Sequence, residues 1–261
     1  MNEYIIKKLE TFIILLPKSF FMKRTLCFAT GTIWRWSEGK NRAELINYAK
    51  KLGFPGIELT LGKKEELYNT KISASQVKWL RNLDYVSIHA PFRLLREADN
   101  QEEVIKQLDC IEKIYKQIRA KMIIIHPLDL PPKEVLDKYN MNFSTENLPK
   151  KRQVTIRKLH AIFKRYPKLG LCLDVAHAYF WSMFETEKLI KAFKNRITQI
   201  HLSGTYRRKD HLPLQQVSPM FIKSIQPIKE LEVPVIIEED VKIKNIKLVK
   251  KEIRYIKSLI L

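Results

Sequence analysis

Short hydrophobic runs recur along this chain, and most of them stop on a histidine or an acid. Thr25-Leu-Cys-Phe-Ala-Thr30 comes first, followed by Gly56-Ile-Glu58-Leu, Val86-Ser-Ile-His89, Met122-Ile-Ile-Ile-His126 and Asn142-Phe-Ser-Thr-Glu146. Leu171 to Leu173 then ends on Asp174, Ile197-Thr-Gln-Ile ends on His201, and Val235-Ile-Ile ends on Glu238. Runs this short and this apolar read as strands buried on both faces, as in a parallel sheet. From Glu58 onward they fall roughly 30 residues apart, enough for one strand, one helix and their loops.

Helical periodicity fills the gaps. Ala43 to Lys51, Ala74 to Leu83 and Glu102 to Arg119 carry apolar residues at steps of three and four. In the third, Val104, Leu108, Ile111 and Ile114 share one face and Asn100 is placed as N-cap. Val154 to Tyr166, Glu187 to Phe193, Pro219 to Ile225 and Ile246 to Ile260 continue the alternation. Pro132 to Tyr139 leaves room for a short helix only. Eight strand-helix units closing on themselves predict a (β/α)8 TIM barrel of one domain, over residues 22–261. Residues 1–21 fit no unit. They are expected to be a peripheral N-terminal extension, with Met22 as the natural start.

The strand-end residues gain meaning from this fold, because active sites of such barrels sit at the C-terminal ends of the strands. His89, His126, His177 and His201 lie at or just past strand ends, and His211 lies on the seventh loop. Glu146, Asp174 and Glu238, with Glu58 at the margin, bring carboxylates to the same mouth. One polar residue at a strand end is an ordinary cap, but a dense set of imidazoles and acids repels itself unless a cation neutralises it. Imidazole with carboxylate suits zinc, with manganese or iron as alternatives, better than magnesium or calcium.

Composition narrows the reading further. Cys27, Cys110 and Cys172 are scattered without a CxxC, which argues for free thiols in a reducing cytoplasm and against a thiolate zinc site. No apolar run is long enough to span a membrane, so no membrane partner is expected. The net charge is +20. Lys150, Lys151, Arg152, Arg157, Lys158 and Lys164 are assigned to one outer helix, and Lys247, Lys250, Lys251, Arg254 and Lys257 to another. Arg35, Lys63, Lys64, Arg93, Arg96, Arg207, Arg208 and Lys209 fall on mouth loops, where they would draw in phosphate. Trp34, Trp36, Phe92, Tyr179, Phe180 and Trp181 lie among them as candidates for stacking on bases or sugars.

Ser87-Ile-His89-Ala-Pro-Phe92, Ile124-Ile-His126-Pro, Thr145-Glu146-Asn147, Cys172-Leu-Asp174-Val-Ala-His177-Ala, His201-Leu-Ser and Ile237-Glu238 resemble the motifs of endonuclease IV and the wider xylose isomerase-like superfamily. The endonuclease branch cuts DNA beside an abasic site with up to three zinc ions. That resemblance implies that His89 and His126 hold one metal and that Glu146 bridges to a second. Asp174, His201 and Glu238 would complete the second, and His177 would help hold a third. In the isomerase and epimerase branch, residues matching Glu146, Asp174, His201 and Glu238 hold one metal, while those matching His177 and Arg207 grip the substrate.

The sequence departs from the endonuclease pattern in three places. Asp210 and His211 are adjacent where that branch has Asp-x-His, glycines are missing from Leu212-Pro-Leu-Gln-Gln-Val, and Phe92 stands where a tyrosine is expected. In an extended loop, neighbouring side chains point to opposite sides. Asp210 is therefore expected to turn away, leaving His211 at the mouth and two tight metals per chain rather than three.

The favoured reading is a metal-dependent phosphodiester hydrolase acting on abasic or damaged DNA. In it Arg93, Arg207 and Phe92 bind substrate, and Glu146 and Glu238 take part in catalysis. The alternative is a sugar or sugar phosphate isomerase or epimerase, in which Glu146 and Glu238 serve as bases beside one metal. A third class is a metal-binding barrel without catalysis.

Overall fold

A computed structural model describes residues 24–39, 41–207 and 209–260. The extension expected over residues 1–21, Met22 and the mouth residue Arg208 lie outside the described residues. Eight parallel strands carry the fold: β1 (Leu26–Ala29), β2 (Gly56–Thr60), β3 (Tyr85–His89), β4 (Met122–Ile125), β5 (Phe143–Glu146), β6 (Gly170–Asp174), β7 (Ile197–Leu202) and β10 (Val235–Ile237). They close into a barrel in the order β1, β10, β7, β6, β5, β4, β3, β2. Strands β8 (Gly204–Tyr206) and β9 (Lys209–Leu212) form an antiparallel hairpin in the loop after β7, where the sequence pattern predicts no strands.

Two cores result from the two-residue period of the strands. Outward positions such as Ile57, Ile88, Ile123, Leu171 and Ile237 pack under the surrounding helices. Inward positions Cys27, Ala29, Tyr85, Met122, Ile124, Cys172 and Ile236 form a separate buried cluster inside the barrel. Gly56 and Gly170 face inward too. A Cβ on Gly56 would stand 2.3 Å from Cys27 Sγ, and one on Gly170 would stand 2.4 Å from Ser144 Oγ. The inward parity carries upward to His89, Glu146, Asp174, His201 and Glu238, which therefore crown the interior.

One register shift matters to that crown. Leu171 pairs with Ile197 but Cys172 pairs with Gln199, a bulge that leaves Thr198 unpaired. Thr198 and Gln199 both turn their side chains inward as a result, Thr198 onto Ser144 at 2.7 Å and Gln199 onto Tyr85 at 2.7 Å. Bulges re-aim strand side chains in this way.

The helices follow the expected pattern with informative differences at their ends. Gln101–Ile118 begins at Asn100, whose side chain accepts from Glu103 N at 2.9 Å, and it buries Val104, Leu108, Ile111 and Ile114. The segment expected to be helical from Val154 starts at Ile156, capped by Thr155 accepting from Lys158 N. Lys150–Arg152 is a separate 3-10 turn closed by Gln153 in the left-handed region at φ 59°. These three basic residues therefore do not sit on an outer helix. Short helices over Lys64–Asn69 and Val175–Tyr179 are additions to the expected pattern. No described helix is long and apolar enough to cross a membrane.

Candidate metal centre

A cleft of about 310 Å³ opens at the C-terminal end of the barrel, lined by His89, His126, Glu146, His177, Asp210, His211 and Glu238 among others. Four groups of side chains there have ligand atoms within 4.8 Å of one another: His89 with His126 and Glu146, His89 with His201 and Glu238, Glu146 with Asp174 and His177, and His177 with Asp210 and His211. Shared members link the four into one chain. All eight residues expected at the mouth are brought together, and Asp210 joins them.

The histidines are aimed by what their second nitrogen touches. Nδ1 of His89 lies 2.9 Å from Ala90 O, Nδ1 of His126 3.1 Å from Phe92 O, Nδ1 of His177 3.0 Å from Asn147 O and Nδ1 of His211 2.8 Å from Glu238 O. A carbonyl only accepts, so each Nδ1 carries the hydrogen and each Nε2 is the atom left free for an ion. His201 is reversed. Its Nε2 faces Glu58 Oε1 at 3.2 Å, and its Nδ1 lies 2.9 Å from Glu238 Oε2.

This donor set fits a divalent ion on three observations. Nε2 of His89 and of His126 stand 3.5 and 3.7 Å from Glu146 Oε2, and His201 Nδ1 is 3.7 Å from the same oxygen. Ligands bonded at about 2.0–2.1 Å to one tetrahedral ion stand about 3.3 Å apart, so small adjustments suffice. Asp174 Oδ1 caps the following helix through His177 N at 2.6 Å, while Oδ2 is buried without a hydrogen bond. His201 Nδ1 is buried without a well-aligned hydrogen bond yet lies 2.9 Å from a Glu238 oxygen, an approach that a proton or a metal cation between them satisfies.

The charges of the protein groups alone say the same. Burial opposes ionisation of Glu146, but His177, His89 and His201 outweigh it and hold the carboxyl well below the usual range. Burial likewise opposes the charged forms of Glu238 and His177. His201 nevertheless draws Glu238 down to about 2, and Asp174 with Glu146 raises His177 to about 10. Burial dominates at Asp174, pushed up to about 6, and at His126, pushed down to about 4.

Asp210 corrects the spacing argument. His211 adopts φ 54°, in the left-handed region, and this bend turns adjacent residues toward one side. Asp210 and His211 therefore both reach His177. The adjacency that argued against a third group is absorbed by one backbone residue, and with it goes the reason for expecting two metals rather than three.

The rim differs from expectation in which cations are free. Arg35 forks onto Asp240 with both bonds at 3.1 Å, Arg96 is bound by the buried Asp129, and Arg93 meets Glu97 at 3.2 Å. Arg207 sits in the hairpin turn, its guanidinium 5.2 Å over Tyr206, and does not line the cleft. Lys151 and Arg152 do line it and have no carboxylate partner among the described residues. Their turn is held in place because Trp181 Nε1 donates to Leu148 O at 2.8 Å and Val154 is buried just beyond. Thr155 as an N-cap is the sequence signal that releases them from the helix. Of the aromatic candidates, Trp36 is buried, while Trp34 and Phe92 are exposed. Phe92 stacks on His126 at 5.5 Å.

A parallel eight-stranded barrel with imidazoles and carboxylates gathered at its C-terminal mouth defines the class. The chain belongs to the xylose isomerase-like TIM barrel family, which it matches over residues 46–259. An uncharacterized protein of Methanocaldococcus jannaschii is 29% identical over 139 residues, 44% of this chain and 50% of that one. The chain thus spans about half the length of that relative. Endonuclease IV from Thermus thermophilus superposes with a TM-score of 0.65 at 18% identity, covering 90% of this chain and 98% of that one. D-allulose 3-epimerase from Methylomonas sp., in complex with D-allulose, superposes with a TM-score of 0.65 at 13% identity, covering 91% and 97%. At these identities the two structures share the fold, and fold alone does not choose between their chemistries.

Proposed function

We propose that the chain is a divalent-metal-dependent phosphodiester hydrolase of the endonuclease IV kind, acting on abasic or otherwise damaged DNA. The observation that carries this reading is the fourth ligand group, His177 with Asp210 and His211, beside the group His89 with His126 and Glu146. A single ion held by Glu146, Asp174, His201 and Glu238 needs neither His89 with His126 nor His177 with Asp210 and His211 as further ligands. Zinc is the expected metal, given the imidazole-rich set.

His89 and His126 would hold one ion through Nε2, and Glu146 would bridge it to a second ion held by Asp174, His201 and Glu238. His177, Asp210 and His211 would hold a third. Ions in this set would supply positive charge against a phosphate and acidify a water for attack at phosphorus. Glu146 and Glu238, held ionised by the neighbouring histidines, are the candidate catalytic carboxylates. Lys151 and Arg152 would grip phosphates in the cleft, and Arg93 would join them on leaving its exposed pair with Glu97. Phe92 offers an exposed ring to the sugar or base beside the lesion.

Elemental analysis of the zinc-loaded protein together with an assay on a duplex carrying one abasic site tests this. We expect two or three ions per chain and a single-strand nick. One ion and no nick would reject the reading.

The second reading, a metal-dependent sugar isomerase or epimerase, has one observation in its favour. Glu238 and Glu146 both approach His201 Nδ1, at 2.9 and 3.7 Å, so two carboxylates flank one ligand position. Removal and return of a proton beside a carbonyl needs such a pair. One bound ion with epimerisation of a ketose would establish it.

A further inference from the structure

Below the mouth, the barrel interior holds a carboxylate that neither reading has used. Glu58 lies on β2 and is 0% exposed. Its Oε2 accepts from Ser87 Oγ at 2.9 Å and from Gln199 Nε2 at 2.7 Å. Gln199 is oriented in turn, because Tyr85 Oη donates to its Oε1 at 2.7 Å. The amide therefore turns its nitrogen toward Glu58, with its remaining hydrogen between Cys172 Sγ at 3.6 Å and His201 Nε2 at 2.9 Å. The ionised Glu58, a charged acceptor, thus competes with a neutral amide donor for which imidazole nitrogen keeps its hydrogen. A single column, Tyr85 to Gln199 to Glu58 to His201, thus runs up the axis of the barrel to the mouth.

The top of the column fixes the state of His201. Glu58 Oε1 and His201 Nδ1 are both buried without a conventional hydrogen bond. Oε1 stands 3.2 Å from His201 Nε2. A hydrogen on Nε2 gives Oε1 its partner and leaves Nδ1 bare toward the mouth. A carboxylate enclosed this fully also demands a positive partner, since burying a charge unpaired is costly. His89, His126 and His211 turn Nδ1 to backbone carbonyls and His177 turns it to both Asn147 O and Glu146 Oε1, whereas His201 meets its buried carboxylate through Nε2.

We propose that Glu58 is the positioning carboxylate of His201: from inside the barrel it holds hydrogen on Nε2, so that Nδ1 is presented to the ion. The resulting carboxylate–histidine–metal arrangement fixes the ring tautomer and raises the basicity of the ligand. The inference rests on the metal reading of the site but not on the choice between phosphate and sugar chemistry.

The hydrogen-bond pattern predicts how the column fails. In Glu58→Gln, the new carbonyl must remain opposite Ser87 and Gln199, so the new amide nitrogen faces His201 Nε2 as a donor. The imidazole hydrogen then moves to Nδ1, where it blocks the ion. The opposite orientation of the introduced amide sets its nitrogen against Gln199 Nε2, donor against donor. A double variant, Glu58→Gln with Gln199→Glu, exchanges the roles. Gln199 Nε2 lies 2.9 Å from His201 Nε2, so a carboxylate oxygen there can accept its hydrogen. The other oxygen still takes Tyr85 Oη.

Zinc affinity measured by competition with a chelating dye, beside the melting temperature of the metal-free protein, provides the test. Glu58→Gln should weaken the zinc site that includes His201 by about 10–100-fold. The exchange variant should recover most of that loss. A purely structural role would instead lower the metal-free melting temperature and leave zinc affinity alone. Parent-like affinity in Glu58→Gln overturns the proposal, as does an exchange variant no better than the single one. Should Glu58→Gln fail to fold, the exchange variant answers alone: affinity near the parent's supports the proposal, and a loss of tenfold or more rejects it.

Discussion

Among single residues, the site is a set of nitrogens aimed by their back contacts. Four Nδ1 atoms face backbone carbonyls at 2.8 to 3.1 Å, His177 Nδ1 meeting Glu146 Oε1 at 2.7 Å as well, so the Nε2 atoms converge on the mouth. The charge state follows from the same neighbours. His177 is raised to about 10 by Asp174 and Glu146 against the effect of burial, so at neutral pH it is an imidazolium. An ion needs its lone pair, and binding must therefore expel that proton. The sign is then fixed: below about pH 10 each unit of acidification should weaken binding there by about tenfold for each proton displaced. Calorimetric titration with zinc at pH 7 in buffers of different ionisation enthalpy should show net proton release. A heat independent of the buffer would contradict the charge assigned to His177.

Among the elements, loops and their ends decide which ligand groups reach the mouth. The hairpin after β7 turns Asp210 and His211 toward His177 through one left-handed residue, His211 at φ 54°. Asp210→Ala should accordingly lose one tightly bound ion of three while the other two stay in place. Equilibrium dialysis against zinc followed by elemental analysis checks this, and an unchanged count would remove Asp210 from the site. Asn100→Ala is a useful contrast, since it acts on a helix cap that does not line the cleft. It should cost about 1 kcal/mol of stability in denaturant titration, with the ion count unaltered.

For the molecule taken entire, a net charge of +20 is a weak guide until each cation is placed. Arg35, Arg96 and Arg93 face the mouth but already hold carboxylates. Lys151 and Arg152, placed by sequence pattern on an outer helix, line the cleft without such partners among the described residues. If the substrate is a DNA duplex, neutralising both should reduce the slope of log affinity against log salt by roughly two, and Arg35→Ala should change it little. Binding measured by fluorescence anisotropy over a salt series decides the matter. An equal effect of all three would show that the cleft's own cations have no special part.

The barrel was legible in the order of residues alone, because strand and helix periods are local and alternate at near-constant spacing. So was the crown of His89, Glu146, Asp174, His201 and Glu238. A strand's two-residue period sets which side chains face the axis, and its end sets which layer they join. What lay beyond local pattern needed the folded chain. The position of Lys151 and Arg152 hung on where a helix starts, and the approach of Asp210 on the sign of one φ angle. The coupling of Glu58 to His201 joins residues 143 apart in sequence. A contact across a closed barrel depends on register and on the bulge at Thr198, and neither leaves a trace in the order of polar and apolar residues.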